Sequence, residues 1–256
     1  MSNIKKAFEH GKAFIGFLTA GDPDVQTTKK CIEAMYEAGA DLIEIGIPFS
    51  DPIAEGVVIQ GANLRALKHR TCLDEVFELV KDTRLNFTVP IVFLTYINPV
   101  FNYGYESFFK KCSQTGVDGI IIPDLPFEEK GEIKDIAEKY NIDIISLIAP
   151  TSNERIKQIA KDAKGFVYIV SSMGVTGVRS EITTDLTSIV KLVKEATTTP
   201  AAIGFGISTT EQAKHFSNIA DGVIVGSAIV KIIEKYGKDA PEHVYDYVKE
   251  MKNAIR

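Results

Sequence analysis

The sequence has few of the side chains from which disulfide frameworks and metal sites are built. Its 256 residues include only three cysteines, Cys31, Cys72 and Cys112, which are far apart. Their odd number and wide spacing match neither a paired disulfide framework nor a CxxC metal site, so we expect reduced thiols and a cytoplasmic location. The four histidines do not cluster with cysteine or aspartate at ligand spacing. No metal site is therefore expected.

Long apolar runs and an excess of basic charge are also missing. No stretch is long enough to cross a bilayer, and the N-terminal segment lacks the apolar core of a signal peptide. The chain has 34 acidic and 29 basic residues, which gives a net charge of −5. We therefore expect neither a membrane nor a nucleic acid as a partner.

Several motifs for nucleophiles and cofactors are absent as well. The sequence has no GxSxG elbow and no GxGxxG fingerprint that opens a strand-to-helix turn. No lysine lies in a predicted strand, since Lys110 and Lys111 fall on the surface of a predicted helix. A Schiff-base aldolase, which needs a lysine in the site, is therefore disfavoured.

The sequence does have a regular alternation of short apolar runs and helical segments. Nearly continuous apolar character is typical of parallel strands that are buried on both faces. Eight such runs, rich in β-branched residues, are predicted to be strands: residues 13–19, 42–46, 91–96, 119–122, 143–148, 166–170, 201–204 and 222–225. Apolar residues recur with helical spacing between them, as at 26–38, 152–161 and 184–196.

This alternation predicts parallel strands joined by right-handed crossovers, the pattern of the α/β class. Eight strand–helix units in 256 residues favour one closed (β/α)8 TIM barrel over an open doubly wound sheet, because such barrels have about 250 residues. We expect residues 1–256 to form a single domain. An additional N-terminal helix near Ile4–Phe8 and a short phosphate-binding helix after the eighth strand are also expected.

The active site of such a barrel lies at the carboxyl ends of its strands. Glu44 is the most informative residue there, because it lies in a strand between Ile43 and Ile45. A carboxylate in an apolar setting either finds a partner or has a raised pKa, and a raised pKa suits proton transfer near neutral pH. The alternative is a buried structural glutamate paired with a neighbouring donor.

Two further groups lie at the predicted strand ends. Asp51 and Glu55 follow the second strand on a loop made rigid by prolines, although a loop carboxylate is often only solvated. Gly206, Gly226 and Ser227 lie where barrels commonly hold a phosphate. Glycine lets backbone N–H groups approach the anion, and a helix N-terminus is positive. The alternative is that these glycines only turn the chain.

Six segments carry a resemblance to a known family, and the most specific is LIEIGIPFSDP at 42–52. The others are GDP at 21–23, PDLP at 123–126, GVTG at 174–177, GFGI at 204–207 and VGSAIV at 225–230. In this order, from about Phe14 to the C-terminal helix, they resemble the α subunits of tryptophan synthase.

The resemblance implies a lyase of L-tryptophan biosynthesis, which cleaves indole-3-glycerol phosphate to indole and glyceraldehyde 3-phosphate in a retro-aldol step. By position it assigns Glu44 as the acid–base group, Glu55 as the acceptor of the indole N–H, and Tyr168 as a residue that orients a carboxylate. It places the remaining residues in three groups: Phe17, Leu94, Tyr96, Ile121 and Phe205 in the indole pocket, Gly177, Gly206, Gly226 and Ser227 at the phosphate, and Thr176 in a lid.

Two departures from the family pattern concern the loops of the site. Glu55-Gly56-Val57 stands where Asp-Gly-Pro is common, so the carboxylate that meets the indole N–H is one methylene longer. Ser172 and Met173 stand where many relatives have an arginine in the lid. The first departure implies that the loop backbone is drawn back or that the activity differs, and the second implies that closure of the lid is controlled differently.

The resemblance also implies a partner, a β subunit that holds pyridoxal phosphate in an α2β2 heterotetramer, and no cofactor in this chain. Loops with Pro48, Asp51 and Pro126 would face that subunit. Two alternatives stay open from the sequence. One is another phosphate-binding barrel, such as an isomerase or epimerase of phosphosugars. The other is a catalytically weak barrel that serves mainly as an allosteric partner.

Overall fold

The computed structural model describes residues 2–170, 185–204 and 206–255. Within them, nine parallel strands form a nearly closed barrel in the order β5-β4-β3-β2-β1-β9-β8-β7-β6. The strands are β1 (Ala13–Thr19), β2 (Leu42–Gly46), β3 (Ile91–Leu94), β4 (Gly119–Ile121), β5 (Asp143–Ile144), β6 (Ser146–Ile148), β7 (Val167–Val170), β8 (Ala201–Gly204) and β9 (Gly222–Val225).

Helices connect the strands and cover the outside of the barrel. In the described ranges they are α1 (Val25–Glu37), α2 (Val57–Lys68), α3 (Leu73–Thr83), α4 (Ile97–Tyr103), α5 (Tyr105–Thr115), α6 (Gly131–Lys139), α7 (Asn153–Lys161), α8 (Leu186–Ala196), α9 (Thr210–Ile219), α10 (Ser227–Tyr236) and α11 (Ala240–Ala254). Short 3-10 helices lie at Ile4–Phe8, Phe127–Glu129 and Gly237–Asp239. None of the helices in these ranges has the length and apolar character needed to cross a membrane.

The predicted (β/α)8 barrel is confirmed, with its fifth strand in two pieces. β5 pairs with β4, whereas β6 pairs with β7, so the two pieces together join the ends of the sheet. Between them, the backbone N–H of Ile145 still donates to the carbonyl of Ile120 at 2.9 Å. That residues 1–256 form one domain stays a prediction.

Some predicted element ends differ from the observed ones. β3 stops at Leu94 instead of residue 96, because Tyr96 is already the N-cap of α4. β4 ends at Ile121 and β7 begins at Val167, one residue inside each predicted range. The helices predicted at 26–38, 152–161 and 184–196 are observed as α1, α7 and α8. The helix after the last strand begins directly at Ser227.

The barrel interior is a separate apolar layer from the one between strands and helices. It includes Ile15, Leu42 and Val92, and Ile4 of the N-terminal segment packs onto it. The predicted N-terminal helix is thus a 3-10 helix that covers the amino ends of the strands. Because alternate strand residues point inward, the same face that buries Leu42 also turns Glu44 into the interior.

Candidate active site

A cavity of about 670 Å3 opens at the carboxyl ends of the strands. Small-molecule sites generally have about 300–1,000 Å3, so this cavity has the size of a ligand site. Eight of the residues predicted for the site line it: Phe17, Glu44, Leu94, Glu55, Tyr168, Gly206, Gly226 and Ser227. The fold thus brings both carboxyl groups and the glycine loops to one place.

Glu44 is a buried carboxyl group in the wall of this cavity. It lies in β2, opposite Phe17 of β1 and Val92 of β3, and is 1% exposed. Its Oε2 makes no hydrogen bond with any residue that the structure describes. Burial, together with the charge of Glu55, raises its pKa to about 8. Glu44 is therefore protonated at neutral pH and can donate its proton into the cavity.

Glu55 is the second carboxyl group, and it is held more firmly than Glu44. It is 5% exposed, and burial raises its pKa to about 7. Hydrogen bonds from Asn63 and Tyr96 work against that shift, and the Asn63 Nδ2 lies 2.6 Å from Glu55 Oε2. Because Glu55 has donors and Glu44 Oε2 does not, Glu55 is the first of the two to ionise.

The backbone on both sides of the Glu55 Cα is also fixed. The Gln60 side chain donates to the carbonyl oxygen of Glu55 at 2.7 Å, and the backbone N–H of Ala54 donates to the Tyr96 hydroxyl at 3.2 Å. Gly56, the next residue, is the N-cap of α2. The loop that carries the carboxylate is therefore attached to the first turns of α2 and to the N-cap of α4.

Tyr168 lies in β7 and lines the same cavity. Burial and the charge of Glu44 raise the pKa of Tyr168 well above its usual range, so its hydroxyl keeps its proton. Gly204 of the neighbouring β8 makes room for it, since a Cβ there would be 2.6 Å from the Tyr168 hydroxyl oxygen. The arrangement aims a neutral donor toward Glu44.

Glycines form the other polar end of the cavity. Gly206 has a φ of +90°, a conformation that favours glycine. Gly226 is the N-cap of α10, and Ser227 is the first residue of that helix. The first backbone N–H groups of a helix have no partner within it, and they attract anions. This end of the cavity can hold a phosphate group.

Other predicted site residues lie elsewhere. Tyr96 and Ile121 are outside the described wall of the cavity. The Tyr96 hydroxyl makes a hydrogen bond to Glu55 instead. Ile121 packs in the barrel interior, and its neighbour Ile122 lines the cavity. Thr176, Gly177 and Phe205 lie outside the residues that the structure describes. The same holds for Ser172 and Met173.

Asn63 is a site residue that the sequence prediction missed. It is buried in the inner face of α2, together with Ile59, Ala62 and Ala66. An amide among apolar residues at helical spacing is a readable signal, since buried polar side chains need partners. Elsewhere in the described ranges, no three His, Cys, Asp or Glu side chains come close enough to hold a metal ion.

Comparison with known proteins adds independent findings. A family model described as tryptophan synthase alpha chain matches residues 2–256. The tryptophan synthase alpha chain of Lacticaseibacillus casei is 51% identical over 255 residues, which cover 100% of this chain and 96% of that protein. That of Thermoanaerobacter sp. strain X514 is 47% identical over 262 residues, with full coverage of both.

Solved structures agree with these matches. Tryptophan synthase subunit alpha from Legionella pneumophila has a TM-score of 0.89 at 35% identity, with 100% of this chain and 98% of that chain covered. A chain in the tryptophan synthase complex from Pyrococcus furiosus has a TM-score of 0.87 at 39% identity, with 95% and 99% covered.

Proposed function

The chain belongs to the tryptophan synthase alpha chain family, and we propose that it cleaves indole-3-glycerol phosphate to indole and glyceraldehyde 3-phosphate. The observation that carries this proposal is the pair of buried carboxyl groups in one cavity with an anion-binding end. Glu44 is protonated and Glu55 ionises first, so the two can take different roles near neutral pH.

Glu44 moves the proton on which the cleavage depends. Its carboxylic acid protonates the indole C3, and the resulting carboxylate removes the proton of the hydroxyl group on the adjacent side-chain carbon. The bond between C3 and that carbon then breaks. Its electron pair returns to the ring, and the hydroxyl-bearing carbon becomes the aldehyde of glyceraldehyde 3-phosphate. Glu44 ends protonated, as it began, so one residue serves as acid and base.

Glu55 and Tyr168 support this proton transfer. Protonation at C3 places positive charge on the ring nitrogen, and the Glu55 carboxylate accepts a hydrogen bond from its N–H. Once the bound substrate has displaced water from the cavity, such an ionic contact is strong. The neutral Tyr168 hydroxyl, whose pKa is raised by burial and by Glu44, orients the Glu44 carboxylate once the proton has left.

The remaining lining residues bind the two ends of the substrate. Phe17, Leu94 and Ile59 give the apolar walls that an indole ring needs. Gly206 and the N-terminus of α10 at Ser227 hold the phosphate by backbone N–H groups. We assign Thr176, Gly177 and Phe205 to the lid, the phosphate and the indole pocket on the family resemblance alone.

We also propose a β subunit as partner, in an α2β2 assembly. One of the similar solved structures is an α2β2 complex of tryptophan synthase from Pyrococcus furiosus. Three exposed apolar side chains support a partner surface, since Ile53, Val57 and Phe101 are 72%, 83% and 64% exposed, and Ile53 lines the cavity. Pyridoxal phosphate belongs to that partner. We place the assembly in the cytoplasm, in keeping with its free cysteines.

The test is to measure both products, indole and glyceraldehyde 3-phosphate, from indole-3-glycerol phosphate with the chain alone and with a β subunit. We expect the two products in equal amounts and a higher rate with the partner. No indole in either sample would reject the lyase and leave the catalytically weak barrel. Sedimentation of the mixture reports independently on the assembly.

A further inference from the structure

We propose that Asn63 is a positioning residue that holds the Glu55 carboxylate in place to accept the hydrogen bond of the indole N–H. The proposal rests on the proposed lyase function and deepens it. It assigns a role to a buried amide that touches no reacting atom.

The first step is the path of the Glu55 side chain. Glu55 lies two residues before the first residue of α2, and Asn63 is the seventh residue of that helix. Six residues of helix span about 9 Å. Glu55 Oε2 meets the Asn63 amide at the inner face of α2, and Glu55 also lines the cavity.

The second step is the quality of that contact. The Asn63 Nδ2 donates to Glu55 Oε2 at 2.6 Å, and the two residues are 3% and 5% exposed. Little water competes at such a site, so the hydrogen bond is stronger than one on the surface. Asn63 thus fixes one oxygen and leaves the other for Tyr96 or the substrate.

Two hydrogen bonds hold the backbone at Glu55 and so oppose a shift of the loop that would offset a change in side-chain length. Gln60 holds the Glu55 carbonyl oxygen and Tyr96 holds the Ala54 N–H, at 2.7 Å and 3.2 Å. An aspartate would be shorter by one C–C bond of about 1.5 Å. Its carboxylate would lie about 4 Å from the amide, beyond hydrogen-bond reach. Asn63 therefore fits a glutamate here.

The fourth step is the charge. The amide donates to the ionised form of Glu55 and so lowers its pKa, against the burial that raises it to about 7. Without Asn63 the pKa of Glu55 rises further, and the carboxylate that accepts the indole N–H is present only at higher pH. A purely structural amide would have no such effect on the pH dependence.

The experiment measures indole release with the β subunit from pH 5.5 to 9 for the wild type, Asn63→Ala, Glu55→Asp and the double variant. We expect Asn63→Ala to lower kcat at pH 7 by about 10-fold or more, in the range of a lost charge-assisted hydrogen bond. We also expect the acid limb of the pH profile of kcat for Asn63→Ala to move to higher pH, while KM changes little. In the Glu55→Asp background, Asn63→Ala should change kcat less than about 2-fold, because the pair is already broken.

Ala66→Gly is the matched control, since it weakens the same buried face of α2 one turn beyond Asn63. It should lower the unfolding midpoint without moving the acid limb. If Asn63→Ala fails to fold, Asn63→Ser is measured in its place, because the short serine hydroxyl does not reach Glu55. An unmoved acid limb in Asn63→Ala, or the same loss of kcat in both backgrounds, overturns the proposal.

A second readout separates this proposal from the lyase function. In protein labelled with 13C at glutamate side chains, the Glu55 carboxyl resonance, assigned by its loss in Glu55→Gln, reports its titration directly. Asn63→Ala should move that titration to higher pH. If the wild type released no indole, the lyase function would fail, and the titration would still decide whether Asn63 holds Glu55. An unchanged titration rejects the proposal.

Discussion

Replacing Glu44 by glutamine should make the stability of the protein less sensitive to pH. In the folded chain the pKa of Glu44 is raised from 4.5 to about 8 by burial and by the charge of Glu55. Between these two values the folded state binds more protons than the unfolded state. The free energy of unfolding therefore falls as the pH rises through this window. Glutamine has nearly the same shape and does not titrate, so it removes this dependence.

The size of the effect follows from the same pKa values of 4.5 and about 8. Relative to low pH, linkage gives a loss of about 1 kcal/mol at pH 5 and about 3 kcal/mol at pH 7. The gain in stability of Glu44→Gln over the wild type should therefore be about 2 kcal/mol larger at pH 7 than at pH 5. The amide's own cost of burial cancels in this difference, because it is the same at both pH values.

Urea unfolding of both proteins at pH 5 and pH 7 measures this difference directly. Glu37→Gln is the matched control for replacing a glutamate by glutamine, because Glu37 is exposed at the end of α1. If the gain of Glu44→Gln were the same at both pH values, Glu44 would be ionised in the folded protein or would have a partner. Either case would mean that Glu44 does not keep its proton at pH 7 in the folded protein.

Two other predictions concern the same cavity. The rate of indole release should follow a bell-shaped pH profile with limbs near 7 and 8, because ionised Glu55 and protonated Glu44 coexist mainly between those pKa values. Measuring kcat/KM from pH 5.5 to 9 checks this profile. A rate that rises steadily to pH 9 would contradict it. Gly204→Ala should lower the free energy of unfolding by about 1–3 kcal/mol, because its Cβ would lie 2.6 Å from the Tyr168 hydroxyl oxygen. Urea unfolding measures this change. An unchanged midpoint would mean that the Tyr168 hydroxyl is not held beside Gly204.

Much of the barrel could be predicted from the sequence, because its strands are buried on both faces and read as apolar runs. The break in the fifth strand could not be predicted, since Ile145 is as apolar as its neighbours and only the pairing with two different strands separates β5 from β6. Likewise, Thr95 and Tyr96 continue the apolar run of β3, yet α4 begins directly after them.

The candidate site likewise contains residues that the sequence reveals and residues that only the fold reveals. Glu44 could be found because it interrupts a single apolar strand, a local signal. The role of Tyr96 could not, because its hydroxyl meets Ala54 and Glu55 through the fold and not through sequence spacing. Asn63 combines both cases, since its place in an apolar stripe is local whereas its partner Glu55 lies eight residues earlier.

The role of Glu44 in moving the proton during the cleavage is tested most directly by the rate of indole release by Glu44→Gln in complex with the β subunit. Glu37→Gln is again the control, and substrate saturation separates binding from chemistry. We predict a loss in kcat of at least about 100-fold, as expected for a general acid–base residue, with little change in KM. A variant that kept the wild-type kcat would mean that Glu44 does not move the proton in the cleavage.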